Sequence, residues 1–253
     1  GQFNYGVTVR EMAEAYATFA NGGVYREART YTKVYNSKGE VVLDNTQDSQ
    51  QILSEKAVNY MNYCLQFAVS NGTGGEASIY GQTVYGKTGT TSNNKDRWFC
   101  GFTKYYTAAV WVGYDQPEVI LLYNNANPGA TLFQKVLSQV HNGLPRASMY
   151  STDGMVYTTV CLDSGGRATE ACMQDVRTQA GLKRTEAVMV YREDIPGKVC
   201  DKHVLVDFCL ECNAVANDYC KKFAEEGLCK VEKRALVKFT QAELNAMLGV
   251  KSQ

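Results

Sequence analysis

Two periods of hydrophobicity run along this chain, and the switches between them mark out most of its elements. Met12, Ala15, Tyr16 and Phe19 recur at helical spacing behind Thr8-Val9-Arg10-Glu11, a capping box in which the Thr8 hydroxyl and the Glu11 carboxylate each satisfy a free amide. Asn21-Gly22-Gly23 supplies residues that tolerate positive φ, so the helix should stop there. Residues 30–35 and 40–43 flank Asn36-Ser37-Lys38-Gly39, which predicts a solvent-facing β-hairpin. Ser54 is placed to cap a helix over about residues 55–69, whose apolar side carries Val58, Met61, Cys64, Leu65 and Ala68. On that face Cys64 reads as a small buried hydrophobe rather than a reactive thiol.

Asn71-Gly72-Thr73-Gly74-Gly75 predicts a flexible loop. No Gly-Lys-Ser/Thr follows it and no strand precedes it, which excludes a phosphate-binding loop. Residues 83–91 predict a strand, and 97–103 with 106–114 a hairpin turning at Lys104-Tyr105, its Trp98 and Trp111 packing the sheet. After Asn127-Pro128-Gly129, the residues Leu132, Phe133, Val136, Leu137 and Val140 give one apolar stripe on a helix over about 130–142. Further on, 156–161 reads as a short strand before the Asp163-Ser164-Gly165-Gly166 turn, and 213–226 as helical. Thr240-Gln241-Ala242-Glu243 repeats the capping-box pattern before a short terminal helix.

Charge adds little. Twenty-six Lys and Arg balance 26 Asp and Glu, so no net field selects nucleic acid or an anionic membrane surface. The basic spots at Lys221-Lys222 and at Lys230, Lys233 and Arg234 read as solvated faces. No apolar run reaches the length of a membrane span, and no signal peptide opens the chain. Cysteine changes the picture more. Of nine, Cys161, Cys172, Cys200, Cys209, Cys212, Cys220 and Cys229 crowd the last hundred residues, which suggests a second module in an oxidising compartment or around a metal. That break in density places a boundary at about residue 145. Cys200-x-x-His203 and Cys209-x-x-Cys212 have the pair spacing of a tetrahedral zinc site, but the five residues between the pairs are fewer than most zinc folds use.

The candidate chemistry lies in Gly86-Lys87-Thr88-Gly89-Thr90-Thr91. Lys87 places a fixed positive charge that can assist proton transfer and attract an anion. Thr88 and Thr90 offer hydroxyls to a carboxylate, and Gly89, lacking a Cβ, lets a substrate backbone approach the strand. The Thr90 amide can donate to the oxygen of a tetrahedral intermediate. With Asp96-Arg97-Trp98-Phe99-Cys100-Gly101-Phe102, with Ala108 to Asp115, and with Gly6-Val7-Thr8 through Gly23, this stretch resembles the class A penicillin-binding proteins, the bifunctional peptidoglycan synthases. The resemblance is continuous over residues 1–145; Val9 stands where the family usually has proline, which only pre-sets the first helical residue.

The resemblance implies an α+β fold, an antiparallel sheet packed by helices, with residues 1–145 the C-terminal half of a transpeptidase domain and 146–253 a small disulfide-rich extension. It implies catalytic roles for Lys87 and Thr90, substrate binding by Thr88, Gly89, Thr90 and Thr91, and no cofactor or metal. Implied partners are peptidoglycan stem peptides and β-lactams, not nucleic acid, with the cell-division or elongation machinery a possible further one. The implied place is the extracytoplasmic face of the bacterial membrane, held by an anchor upstream of this chain. In such a compartment disulfides among the seven tail cysteines are favoured over zinc, with connectivity open and at least one thiol left over. Residues 161–172 and 196–203 are similar to the extension that follows the transpeptidase domain in many Gram-positive members.

Part of the family's machinery is missing. The attacking serine belongs to a helical Ser-x-x-Lys and is followed by Ser-x-Asn, both normally upstream of Gly1. Here both patterns occur only in Ser92-Asn93-Asn94-Lys95, a polar turn abutting the strand it would have to oppose, so neither is catalytic. The two histidines make no triad: His141 reads as an exposed helix-end residue and His203 falls in the tail. The nucleophile is therefore expected outside residues 1–253. The alternative is a non-catalytic wall- or partner-binding module that kept the sheet.

Overall fold

Helix α1, Val9–Ala20, starts as its capping box requires: Thr8 Oγ1 accepts from the Glu11 amide at 3.2 Å, and Glu11 Oε2 accepts from the Thr8 amide at 2.7 Å. Those hydrogen bonds, from the Thr8 amide first and its hydroxyl second, hold the Glu11 carboxyl below its ordinary pKa. The computed structural model describes residues 6–121, 126–149 and 151–238. Internal contacts divide the chain into two units, the first ending at Ser151.

In the first unit, β1 (Val24–Tyr25), β2 (Lys33–Tyr35), β3 (Val41–Asp44) and β4 (Gln50–Gln51) follow α1. β1 pairs with β4, while β2 and β3 form the predicted exposed hairpin, its turn held by Asn36 Oδ1 accepting from the Lys38 and Glu40 amides. Helix α2 (Glu55–Ser70) is capped by Ser54, whose hydroxyl accepts from the Ala57 amide at 3.3 Å. Its buried face is Val58, Asn59, Asn62, Leu65 and Val69, so Met61 and Cys64 are exposed. Cys64 is thus not the buried hydrophobe its spacing suggested. The face is rotated because two asparagines lie inside it: the Asn59 side chain clamps Ser151, donating to its carbonyl at 2.6 Å and accepting from its amide at 3.0 Å.

Three antiparallel strands form the central sheet: β5 (Tyr85–Thr90), β6 (Asp96–Phe102) and β7 (Thr107–Gly113), in the order β5-β6-β7. Alternate residues of β6 serve its two faces. On one, Phe99 meets Phe133 of α3 (Pro128–Val140) with ring centroids 4.7 Å apart, within a cluster that includes Val69, Val84, Ala130 and Leu137. On the other, Phe102 stacks on Tyr85 at 5.2 Å beside Leu65, Tyr16 and Phe19. Burying a large apolar side chain of this kind stabilises a fold by roughly 1.5–3 kcal/mol, so these rings are what hold the sheet between its helices. Burial also pushes the Tyr16 hydroxyl up to about 12, with Cys100 adding to it, and the Cys100 thiol up to about 11.

Asn127 caps α3, its side-chain oxygen accepting from the Ala130 amide at 3.2 Å, with Pro128 in the first turn. The predicted stripe is narrower in fact: Phe133 and Leu137 are buried, whereas Leu132, Val136 and Val140 are exposed. His141, expected at the surface, is buried. Its Nδ1 donates to the Leu137 carbonyl at 2.6 Å, which leaves Nε2 to accept from the Thr103 hydroxyl at 2.7 Å. The Thr103 oxygen accepts in turn from the Tyr105 and Tyr106 amides, so the imidazole closes the β6–β7 turn onto the helix end.

The second unit contains β8 (Met155–Cys161), α4 (Glu170–Met173), α5 (Val176–Gln179), β9 (Thr185–Tyr191), β10 (His203–Cys209), β11 (Ala214–Val215), α6 (Asp218–Glu225) and β12 (Val231–Val237). β8 pairs with β9, and a three-stranded sheet runs β11-β10-β12. The predicted 213–226 helix is in part strand β11, with α6 starting only where Asn217 caps it. Thr240-Gln241-Ala242-Glu243 lies outside the described residues. The expectation of a disulfide-rich extension is not met. Cys161, Cys172, Cys200, Cys209, Cys212, Cys220 and Cys229 are all free thiols, because their sulfurs converge in groups rather than in bonded pairs.

Candidate functional site

Strand β5 forms one edge of the central sheet, so its outer backbone groups and the side chains of Lys87, Thr88 and Thr90 stand at the rim. Lys87 Nζ donates to the Thr88 hydroxyl oxygen at 3.1 Å, to the Thr88 carbonyl at 3.1 Å, and to the Thr73 hydroxyl oxygen at 3.3 Å. The two hydroxyl oxygens lie 2.8 Å apart. One hydroxyl donates to the other while both accept from the ammonium, which leaves one hydroxyl proton for a further acceptor beside the positive charge. Such a donor-rich cluster suits an anionic group such as a carboxylate.

Thr73 is the residue that sequence reasoning missed. It comes from the stretch read as a flexible loop, yet that loop is pressed onto the end of α2: a Cβ at Gly72 would lie 2.9 Å from the Ala68 carbonyl oxygen. The glycines on either side of Thr73 were the available signal, since they let the turn close tightly enough to bring its hydroxyl to β5.

Gly89 faces Trp98 across the β5–β6 ladder, where an added Cβ would sit 3.0 Å from the Trp98 Cβ. Its missing side chain therefore admits the indole on that face. The Thr90 hydroxyl accepts from Arg97 Nη1 at 3.1 Å, and Arg97 is only 8% exposed, which places a buried guanidinium behind Thr90. Sequence reasoning read Arg97 only as the start of a strand. Thr91, predicted alongside the others, turns its hydroxyl to Asp96 Oδ2 at 2.7 Å, while the second Asp96 oxygen accepts from Trp111 Nε1 at 2.8 Å. These bonds fix the β5–β6 turn.

Ser92–Asn94 is a single 3₁₀ turn in which Asn93 and Asn94 have φ of 63° and 56°. Left-handed residues at both positions prevent Ser92 and Lys95 from sharing a helical face. The pair has none of the geometry of a helical Ser-x-x-Lys.

The family model of the penicillin binding protein transpeptidase domain matches residues 1–138. Penicillin-binding protein 1A of Clostridium perfringens is 36% identical over 167 residues, covering 66% of this chain and 20% of that protein. The protein of the same name from Clostridium acetobutylicum is 44% identical over 121 residues, 47% of this chain and 15% of the relative. The chain thus spans about a fifth or less of the length of these two relatives. Among solved structures, penicillin-binding protein 1A from Haemophilus influenzae superposes with a TM-score of 0.58 at 16% identity, covering 77% of this chain and 33% of that one, a likeness of fold. With a family model covering more than half of its length, and helices packed on an antiparallel sheet, the chain belongs to the penicillin-binding protein transpeptidase family.

Proposed function

We propose that residues 1–145 are the C-terminal half of a peptidoglycan D,D-transpeptidase domain and that 146–253 form an extension beyond it. The reaction is serine acyl transfer. A serine outside residues 1–253 attacks the carbonyl carbon of a D-Ala-D-Ala peptide bond; the C–N bond breaks, and the terminal D-Ala leaves with the serine proton on its amine. The amine of a neighbouring stem peptide then attacks the ester, forming the cross-link and returning the proton to the serine. β-Lactams acylate the same serine by opening their ring amide.

This chain supplies the strand that holds the substrate. Lys87 contributes charge and stabilises the deprotonated serine, Thr88 and Thr90 bind the terminal carboxylate, and the Thr90 amide donates to the oxyanion. Thr73 holds the Lys87 ammonium in place, and Arg97 stands behind Thr90 as a second cation. The observation that carries this reading is the Lys87–Thr88–Thr73 cluster at a sheet edge, which presents a cation, two hydroxyls and edge-strand backbone together. Such an edge accepts an extended peptide as an added strand. The site works on the extracytoplasmic face of the membrane; among the described residues no helix is long and apolar enough to cross one.

The test is penicillin labelling of the full-length protein. Lys87→Ala should nearly abolish labelling of a correctly folded variant. Labelling within a few-fold of wild type would remove Lys87 from the site, and wild-type protein that takes no label would favour a non-catalytic binding module.

A further inference from the structure

In the second unit four side chains close on one point. Cys161 ends β8, Cys172 lies in α4, Cys200 precedes β10 and His203 opens it, and their three sulfurs and one imidazole nitrogen all lie within 4.8 Å of one another. All four residues are buried. His203 Nδ1 is 3.4 Å from both Cys161 Sγ and Cys200 Sγ. A tetrahedral zinc ion, with Zn–S about 2.3 Å and Zn–N about 2.0–2.1 Å, has S···N edges of roughly 3.6 Å and S···S edges of roughly 3.8 Å.

The surroundings are those of ligands rather than of spare thiols. His203 Nε2 lies 2.8 Å from Asp175 Oδ2, and because a carboxylate only accepts, Nε2 carries the proton and Nδ1 turns its lone pair to the sulfurs. Asp175 is itself gripped by Arg177, through Nη2 at 2.7 Å and Nε at 3.0 Å. A carboxylate behind the imidazole is what fixes tautomer and orientation in metal-bound histidines. Main-chain donors reach the sulfurs as well: the Thr169 amide lies 3.3 Å from Cys172 Sγ, and the amides of His203 and Lys202 face Cys200.

A second group brings three sulfurs together, with a fourth beside one of them. The sulfurs of Cys209, Cys212 and Cys220 lie within 4.8 Å of one another, with Cys212 and Cys220 3.7 Å apart. The Cys229 sulfur and the Glu211 carboxylate lie within the same distance of the Cys209 sulfur and of each other, and the Cys229 thiol donates to the Cys220 carbonyl at 3.0 Å, a proton that metal binding would displace. The amides of Cys212 and Glu211 face the Cys209 sulfur, the same two- and three-residue offsets found at Cys200.

We propose that the second unit binds zinc at two tetrahedral sites, one formed by Cys161, Cys172, Cys200 and His203, the other by Cys209, Cys212, Cys220 and Cys229. Thiolate-rich tetrahedral donor sets select zinc over oxygen-seeking cations, and four protein ligands leave no open position, so both sites are structural. The first ion ties β8 and α4 to the start of β10; the second ties the end of β10 to α6 and the approach to β12. The metal takes the place of a core. Among the described residues, the buried apolar ones of this unit are Cys161, Cys172, Cys200, Cys209 and Cys220, with Ala171, Phe208 and Ala235 beside them. In such a setting a structural metal contributes folding free energy directly.

Metal analysis of the full-length protein, purified without chelators, tests this. Two zinc ions per chain are expected, falling to one in Cys200→Ser, to one in Cys220→Ser, and to none in the double variant. Asp175→Asn touches no metal; it should keep both ions but weaken the first site about 10–100-fold in competition with a chelator. Because cysteine variants can misfold, cobalt(II) exchanged into the wild-type protein gives an independent reading, with thiolate-to-cobalt charge transfer and tetrahedral d–d bands expected. A wild-type protein that holds no zinc and takes up neither zinc nor cobalt after reduction would overturn the proposal. So would peptide mapping that finds the tail cysteines joined as disulfides. A single ion, lost in Cys200→Ser and retained in Cys220→Ser, would overturn the second site alone.

Discussion

Lys87 sits between two hydroxyl oxygens, and its position depends on both. Removing the Thr73 oxygen takes away one charge-assisted hydrogen bond, of a kind worth about 1.5–3 kcal/mol. Thr73→Val should therefore slow acylation of the full-length protein by about tenfold or more, and Thr73→Ser should restore it. Wild-type rates in Thr73→Val, measured with a fluorescent penicillin, would show that the contact is incidental. His141 makes a different prediction. Its two ring nitrogens serve buried partners, so His141→Ala should lower stability to urea by roughly 2–4 kcal/mol, where an exposed histidine would cost almost nothing. At this scale the juxtaposition of Lys87, Thr88 and Thr90 was legible, because they are a run along one strand. Thr73 and Arg97 were not, since their contacts with that strand are made by folding. His141 was misread because a helix end says nothing about what covers it.

Helix starts were the most legible elements. Thr8 and Ser54 cap the helices they were read as capping, because a cap is a local contest between a side chain and nearby amides; Asn127, read only as part of the break before α3, caps it as well. Thr8→Ala should cost about 1 kcal/mol, measurable as a shift in the denaturation midpoint. Faces were harder. Hydrophobicity put Met61 and Cys64 inside α2, but Asn59 and Asn62 occupy that side, Asn59 because it clamps Ser151. In α3 the stripe included residues that reach only solvent. Phe133→Ala, which empties the space against Phe99, should cost roughly 3–5 kcal/mol, and Leu132→Ala should stay within about 0.5 kcal/mol of wild type. Equal losses in the two variants would mean that both sides of α3 are covered in the intact protein.

At the scale of the molecule, the jump in cysteine density pointed to a second module, in an oxidising compartment or around a metal. What the cysteines do was not legible: spacing cannot separate a cross-link from a ligand set, and Cys161 and Cys172 are far in sequence from the Cys200-x-x-His203 pair they meet. The α+β sheet of the first unit followed from the family resemblance, and the family model and the solved relative agree with it. In the function proposed above, residues 1–253 provide the substrate-holding strand and not the nucleophile. Its most direct test is to acylate the full-length protein with a penicillin and map the adduct by peptide mass spectrometry. One stoichiometric adduct is expected on a serine outside residues 1–253, lost in Lys87→Ala. An adduct on Ser92 would contradict it, and would make the turn after β5 the reactive centre.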